Sequence, residues 1–266
     1  MKRILFGCVL MVMCSQAHAG PVVPVEVYET LVYDGGGTLA SIQQAMTELH
    51  VPYELRGPGI PVTAADLGSH NLLVVGWNWA GDMSGLPASV LEGGITGKKV
   101  ITGHDADYHF IHGYGSNGHL GDPASVAAGQ FLRQAMAFAW GGGGGGGGGG
   151  GCGLVALGDL GDLSTTGFSY LPTSWGVVAT INHWDTVSAF TPEGQASGVY
   201  AGLTPAAMSD WANCYHDRFI QMGPDFVPFE MYGQSPLTIA TPEPATLCLL
   251  GAGLAGLVIR RGRRGC

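Results

Sequence analysis

Residues 71–77 read NLLVVGW, an almost continuous apolar run between Asn71 and Trp77. A strand with one wet face alternates apolar and polar residues, whereas a run this short and uniformly apolar reads as a strand covered on both faces. Two later stretches repeat the signature: KKVIT at 98–102 and LVALGD at 154–159. Upstream, VEVYETLVYDGGG from Val25 ends a β-branched and aromatic run in Asp34 and three glycines, a strand followed by a turn. Between these strands lie helix patterns. Thr38 stands where it can cap a helix whose Leu39, Ile42, Met46 and Leu49 share one face, and Pro52 stops it. Pro87 opens a short helix that Gly93 and Gly94 close, and Asp122 with Pro123 makes an N-cap and first-turn pair for a longer helix reaching Trp140. Strands and helices alternating at these lengths predict an α/β fold, a single mostly parallel sheet with helices on both faces.

Working outward, Gly141 to Gly151 are eleven consecutive glycines. They lack the Lys-Ser/Thr ending of a phosphate-binding loop and read as a flexible connection between helix and strand. Asp34 with Gly35 to Gly37 likewise lacks a dinucleotide fingerprint and reads as a turn. Beyond Asp162 the pattern loosens into β-like pieces at 177–181 and 186–190, a helix start at Thr204-Pro205, and a last strand over 226–232.

The two ends are of a different kind. Lys2 and Arg3, the apolar run from Ile4 to Met13 and Ala17-His18-Ala19 follow the order of a secretory signal peptide, residues 1–19, cleaved before Gly20. At the other end, residues 242–266 carry Pro242-Glu243-Pro244, an apolar segment at 245–259, and Arg260, Arg261, Arg263 and Arg264. The prolines hold the chain extended for a processing enzyme. As a helix the apolar segment is roughly 22 Å long, marginal for crossing the hydrocarbon of a bilayer. The arginines beside it stay cytoplasmic by the positive-inside rule. Between the ends lies one extracytoplasmic domain, residues 20–241.

P-E-P, A-T, a glycine-interrupted leucine-rich run and a terminal arginine cluster together resemble the tail of PEP-CTERM proteins, which are sorted by exosortases. The resemblance covers the tail alone. It implies transient anchoring in the inner membrane, cleavage near Pro242-Glu243-Pro244 by an exosortase-type enzyme, and release or attachment at the cell surface or outside it. It further implies a Gram-negative-type envelope, often with a biofilm or exopolysaccharide matrix. The partners that follow are signal peptidase and the secretion machinery, the exosortase, the membrane before processing, and exopolysaccharide.

With both ends removed, five basic residues face nineteen acidic ones, a net of −14. Nothing in such a domain neutralises phosphates, so nucleic acid is excluded as a partner. The acidity suits solubility outside the cell and the company of divalent cations. Only Cys152 and Cys214 remain between the ends, enough for one disulfide in an oxidising compartment.

The order and lengths of the elements resemble the flavodoxin-like, class I glutamine amidotransferase-like superfamily. In that superfamily a catalytic elbow follows a central strand, and the matching place here is VITGHDADYHFIHG at 100–113. Gly103 is followed by His104, Asp105 and Ala106, with no Cys or Ser at the elbow. The resemblance therefore implies the fold without the amidotransferase chemistry.

This same stretch is the densest in chemistry: His104, Asp105, Asp107, His109, His112 and, shortly after, His119. Open α/β sheets present ligands beyond the carboxyl ends of their strands. Imidazole and carboxylate together suit a divalent metal, with His104, Asp105, Asp107 and His109 as candidate ligands. No diagnostic spacing such as H-E-x-x-H occurs, and a polar loop of hydrogen-bonded histidines is the competing reading. Later, WANCYHDRF at 211–219 gathers Trp211, Cys214, His216 and Asp217, either a Cys-His pair or a cysteine committed to a disulfide or to burial. Trp77, Trp79, Trp175, Trp184 and Trp211 form either a sugar-stacking surface or part of a core. Three functions remain open on this reading. They are a non-catalytic exported domain, a metal-dependent hydrolase, and a carbohydrate-binding module.

Overall fold

In β1 (Thr30–Tyr33), β3 (Leu72–Val75) and β5 (Gly153–Ala156) every side chain is buried, and β4 (Lys99–Thr102) is buried after its first residue. Successive residues of a strand point to opposite faces, so strands buried throughout require cover on both sides. The computed structural model describes residues 29–36, 41–77, 81–114, 118–140, 151–158, 168–182, 187, 189–209, 211 and 216–242. The signal peptide, the glycines 141–150 and the tail beyond Pro242 lie outside these residues, as do Thr38, Trp79, Trp184 and Cys214.

Along the chain, β1 is followed by α1 (Ile42–Glu48), β2 (Tyr53–Arg56), α2 (Ala64–Ser69), β3, α3 (Ala88–Gly94) and β4. Two helices in succession, α4 (Ala106–His112) and α5 (Pro123–Trp140), then lead to β5. The second half holds a short 3-10 turn at Thr173–Trp175, β6 (Val178–Asn182), β7 (Ala189–Phe190), α6 (Pro192–Ala196), β8 (His216–Gln221), β9 (Val227–Tyr232) and β10 (Ser235–Ala240).

Eight strands form one sheet in the order β2-β1-β3-β5-β4-β10-β9-β7, and β6 pairs with β8 in a separate antiparallel ribbon. The five strands from β2 to β4 are parallel. From β10 onward the pairing is antiparallel. The sequence pattern thus anticipates β1, β3, β4 and β5 with α1, α3 and α5, and marks β7 and β9 as strands, whereas β2, α2, β10, the antiparallel pairing and the separate β6-β8 ribbon were not expected.

The pleat divides the core in two. Val32, Val74, Val100 and Val155 point to one face, against Ile42 and Met46 of α1 and Phe131, Leu132, Ala135 and Met136 of α5. Leu31, Tyr33, Leu73, Val75, Ile101 and Leu154 point to the other, against Leu67 of α2, Leu91 of α3, and Phe168, Tyr170 and Phe219. Each such side chain removed from water contributes about 1.5–3 kcal/mol before entropy is counted. Gly76, just past β3, lets α1 approach, because a Cβ there would lie 2.5 Å from that of Ile42.

Several elements depart from the sequence expectation for local reasons. β2 reads YELR, a polar edge strand without an apolar run. α2 is two turns long with a Thr63–Asp66 capping box in place of an apolar stripe. The stretch at Thr204-Pro205 closes on itself in turns and forms no helix, while Ser235–Ala240, unmarked in the sequence reading, is an interior strand. Among the described residues no helix is long and apolar enough to cross a membrane, and the apolar segment 245–259 lies outside them.

Candidate functional site: a buried polar cluster at the strand ends

At the carboxyl end of β4 the chain turns through Gly103, His104 and Asp105 into α4. Three neighbours clamp this turn. Gly103 N–H donates to the carbonyl of Leu237 in β10 at 2.7 Å, its carbonyl accepts from Asp217 N–H of β8 at 3.1 Å, and the carbonyl of His104 accepts from Gly158 N–H at 3.0 Å. A Cβ on residue 103 would overlap the Asp217 carbonyl, so glycine is what allows β8 to cross here. Strand, turn and helix therefore follow one another as an elbow requires, and the elbow carries His104 and Asp105 with no Cys or Ser.

The His104 side chain is fully buried, its Nε2 2.8 Å from Glu230 Oε2 of β9. The same carboxylate oxygen accepts from Thr238 of β10 at 2.7 Å and from Tyr200 at 3.3 Å. Thr238 in turn lies 2.8 Å from the hydroxyl of Thr102, which accepts the His104 N–H at 3.2 Å. Burial, and then the neighbouring Glu230, push the Tyr200 phenol well above its usual pKa, so it stays a neutral donor. The rings of Trp211 and Phe131 flank His104 at 5.1 and 6.1 Å.

A second pair lies on α4. Asp105 Oδ1 faces His109 Nε2 at 3.2 Å, one helical turn apart, and His109 Nδ1 lies 2.6 Å from the Gly113 carbonyl. A carbonyl only accepts, so Nδ1 carries a hydrogen. Asp107, also fully buried, accepts from Trp77 N–H at 3.1 Å. Burial, reinforced by the Asp105 charge, pushes the Asp107 carboxyl well above the usual carboxylate range. Asp107 Oδ1, Glu230 Oε1 and Trp77 Nε1 are buried without a hydrogen-bond partner among the described residues.

The remaining candidates are placed as follows. His112 is half-buried, and burial followed by proximity to His109 lowers its pKa. His119 is exposed in the loop before α5. Among the described residues no group of three His, Cys, Asp or Glu side chains is arranged to hold a metal ion. His104, which the sequence grouped with Asp105, Asp107 and His109, instead faces Glu230, a residue 126 positions away. Trp77 and Trp211 are core residues at 2% and 1% exposure, which removes them from any sugar-stacking surface, and Trp175 is half-buried. Cys152 is a buried free thiol at the opposite end of β5, its pKa pushed up to about 12 by burial. Its expected partner Cys214 lies outside the described residues.

Glu230, Thr238 and Tyr200 were not found from the sequence. The single available sign was an acid inside the otherwise apolar strand VPFEMY, a position that buries a charge unless something pairs it. The cluster sets two imidazole–carboxylate pairs and a third buried carboxyl in a dry interior, and the turn Gly103-His104-Asp105 itself carries no Cys or Ser.

Residues 240–264 match the PEP-CTERM protein-sorting motif, which spans Pro242-Glu243-Pro244, the apolar segment and the arginine cluster. No curated protein and no solved structure matches the chain. The resemblance of the middle domain to amidotransferase-like proteins thus has no match behind it. The motif supports an exported, envelope-targeted protein processed by an exosortase, which is a membrane enzyme.

Proposed function

We propose that the chain crosses the inner membrane behind its leader, is held there by its tail, and is cut near Pro242-Glu243-Pro244. The freed or reattached α/β domain then serves as a non-catalytic component of the cell surface or its exopolysaccharide matrix. The observation that carries this reading is the junction. β10 ends at Ala240, Thr241 is still hydrogen-bonded to Lys99, and the sorting motif begins at residue 240. β10 has ended before Pro242-Glu243-Pro244, so a cut there leaves every described strand in place.

The polar cluster is read as framework. Its imidazoles and carboxylates are fully buried, His104 faces Glu230 and His109 faces Asp105, and the turn after β4 offers no nucleophile. The acidic mature domain, at −14, suits a hydrated matrix.

The test is expression of the whole chain in a bacterium with an exosortase and in the same strain lacking it, followed by mass spectrometry of cell-bound and released protein. With the enzyme, the product should begin at Gly20 and end between 241 and 245. Without it, the tail should remain. A tail retained in both strains, or amide, ester or glycoside hydrolysis abolished by His104→Ala in a still-folded protein, would overturn the reading.

A further inference from the structure

Five parallel strands give the sheet two unlike ends, and the tail leaves from one of them. β10 runs antiparallel to β4, with Ala240 opposite Val100. One residue on, Thr241 N–H donates to the Lys99 carbonyl at 3.1 Å, and Thr241 Oγ1 accepts from Lys99 N–H at 2.9 Å. Thr241 is therefore pinned to the amino-terminal rim of the sheet. The same rim holds Glu29 and Asn71 before β1 and β3, joined by a hydrogen bond of 2.9 Å, and Gly97, whose N–H donates to the Cys152 carbonyl before β5. His104, Asp105 and Glu230 belong to the other end.

Only Pro242, Glu243 and Pro244 separate that pinned residue from the apolar segment starting at Ala245. Fully extended, three residues reach roughly 10 Å. A domain of 222 residues has a radius of gyration of about 17 Å, so so short a tether cannot let it turn over. The mature chain has two lysines, Lys98 and Lys99, and both stand at the exit. Lys98 Nζ lies over the Phe138 ring at 4.5 Å and Lys99 Nζ over Trp175 at 5.1 Å, so each stem is held on aromatic surface at the rim.

We propose that before processing the amino-terminal rim of the sheet lies against the phospholipid headgroups of the inner membrane, with Lys98 and Lys99 at headgroup level. The buried polar cluster then faces away from the bilayer. This rests on the tail being membrane-held, as under the proposed function. The exosortase must accordingly reach its sequence in the narrow gap between rim and bilayer.

Lys98 and His119 report on the two ends. His119 is exposed just before α5, whose 18 residues run about 27 Å back to the rim. The full mature chain is reconstituted in vesicles of phosphatidylethanolamine and phosphatidylglycerol and compared with a chain ending at Thr241. A membrane-impermeant acylating reagent reads Lys98, and diethyl pyrocarbonate reads His119. Lys98 should react at least tenfold more slowly in the vesicle-held chain, with His119 unchanged within twofold. Equal slowing at both sites, slowing at His119 alone, or none at either, in a chain that sediments with vesicles, would overturn the orientation while leaving the sorting reading intact. A chain that does not sediment with vesicles would overturn both.

Discussion

At the scale of single residues, the cluster is distinguished by protons held in a dry place. Asp107 in the unfolded chain titrates near 4, and in the fold burial raises it well above that. Between the two values the native state binds more protons than the unfolded one, so stability is greatest at acid pH and declines as pH rises through that window. Asp107→Asn keeps a carbonyl to accept from Trp77 N–H and removes the titration. The variant should be more stable than the parent at pH 7 by about 1–3 kcal/mol, the range for relieving a buried polar group. Near pH 4 the two should be equal, and calorimetric melts from pH 4 to pH 8 check this; parallel curves would mean that Asp107 does not titrate in the window. Glu230 faces His104, Thr238 and Tyr200 at once. Glu230→Ala strips three buried donors and should cost about 3–5 kcal/mol, whereas Glu230→Gln keeps one acceptor oxygen and should cost about half. Urea midpoints at constant m value measure both. His104, Asp105, Asp107 and His109 were legible because they stand in one run behind a strand. Glu230 and Thr238 were not, because a cross-strand register beyond the reach of local pattern brings them there.

Among the elements, α5 is the one whose start the sequence marked most clearly. Asp122 accepts from Ser125 N–H at 2.8 Å as an N-cap, and its other oxygen accepts from Tyr114 and His119 N–H at 3.1 and 3.3 Å. The cap thus also closes the loop from α4. Burial works against the charge, but these backbone donors outweigh it, and the Asp122 pKa lies below the usual value. A lowered folded pKa gives stability that is present above the unfolded value near 4 and lost as pH falls through the folded one. Asp122→Ala should therefore cost about 1–2 kcal/mol at pH 7 and much less at pH 3, measured by circular dichroism melts at both. A gap that is the same at both pH values would place the effect in packing rather than in the charged cap. Caps and apolar runs are local chemistry, which is why β1, β3, β4, β5 and α5 could be read directly. The polar edge strand β2 is stabilised by what it packs against, as Arg56 is by Asp66 of α2 at 2.7 Å, and neither it nor α2 carries an apolar run, although the Thr63–Asp66 capping box is a local sign of the helix start.

For the whole molecule, the alternation of elements gave four of the five parallel strands, and the pieces at 186–190 and 226–232 fall on β7 and β9, but β2, β10 and the antiparallel pairing escaped because no local pattern marks them. The antiparallel half includes β10, at whose end the sorting motif begins. β10 sits between β4 and β9, with Leu237, Ile239 and Ala240 all at 1% exposure or less. Losing a buried Leu or Ile costs about 2–5 kcal/mol, and losing β10 also unmakes the ladders on both its sides. Domains are typically stable by only about 5–15 kcal/mol. A chain ending at Gly233 should therefore show no cooperative unfolding, while one ending at Thr241 should melt as the tail-bearing domain does. A cut beyond Thr241 would leave β10 whole, and the two truncations test whether the domain needs that strand. If the Gly233 chain still melts cooperatively, β10 is dispensable and the processing site is not confined by the fold. If the Thr241 chain fails to fold, the tail contributes to the domain, and release by cleavage near Pro242 would yield an unfolded product.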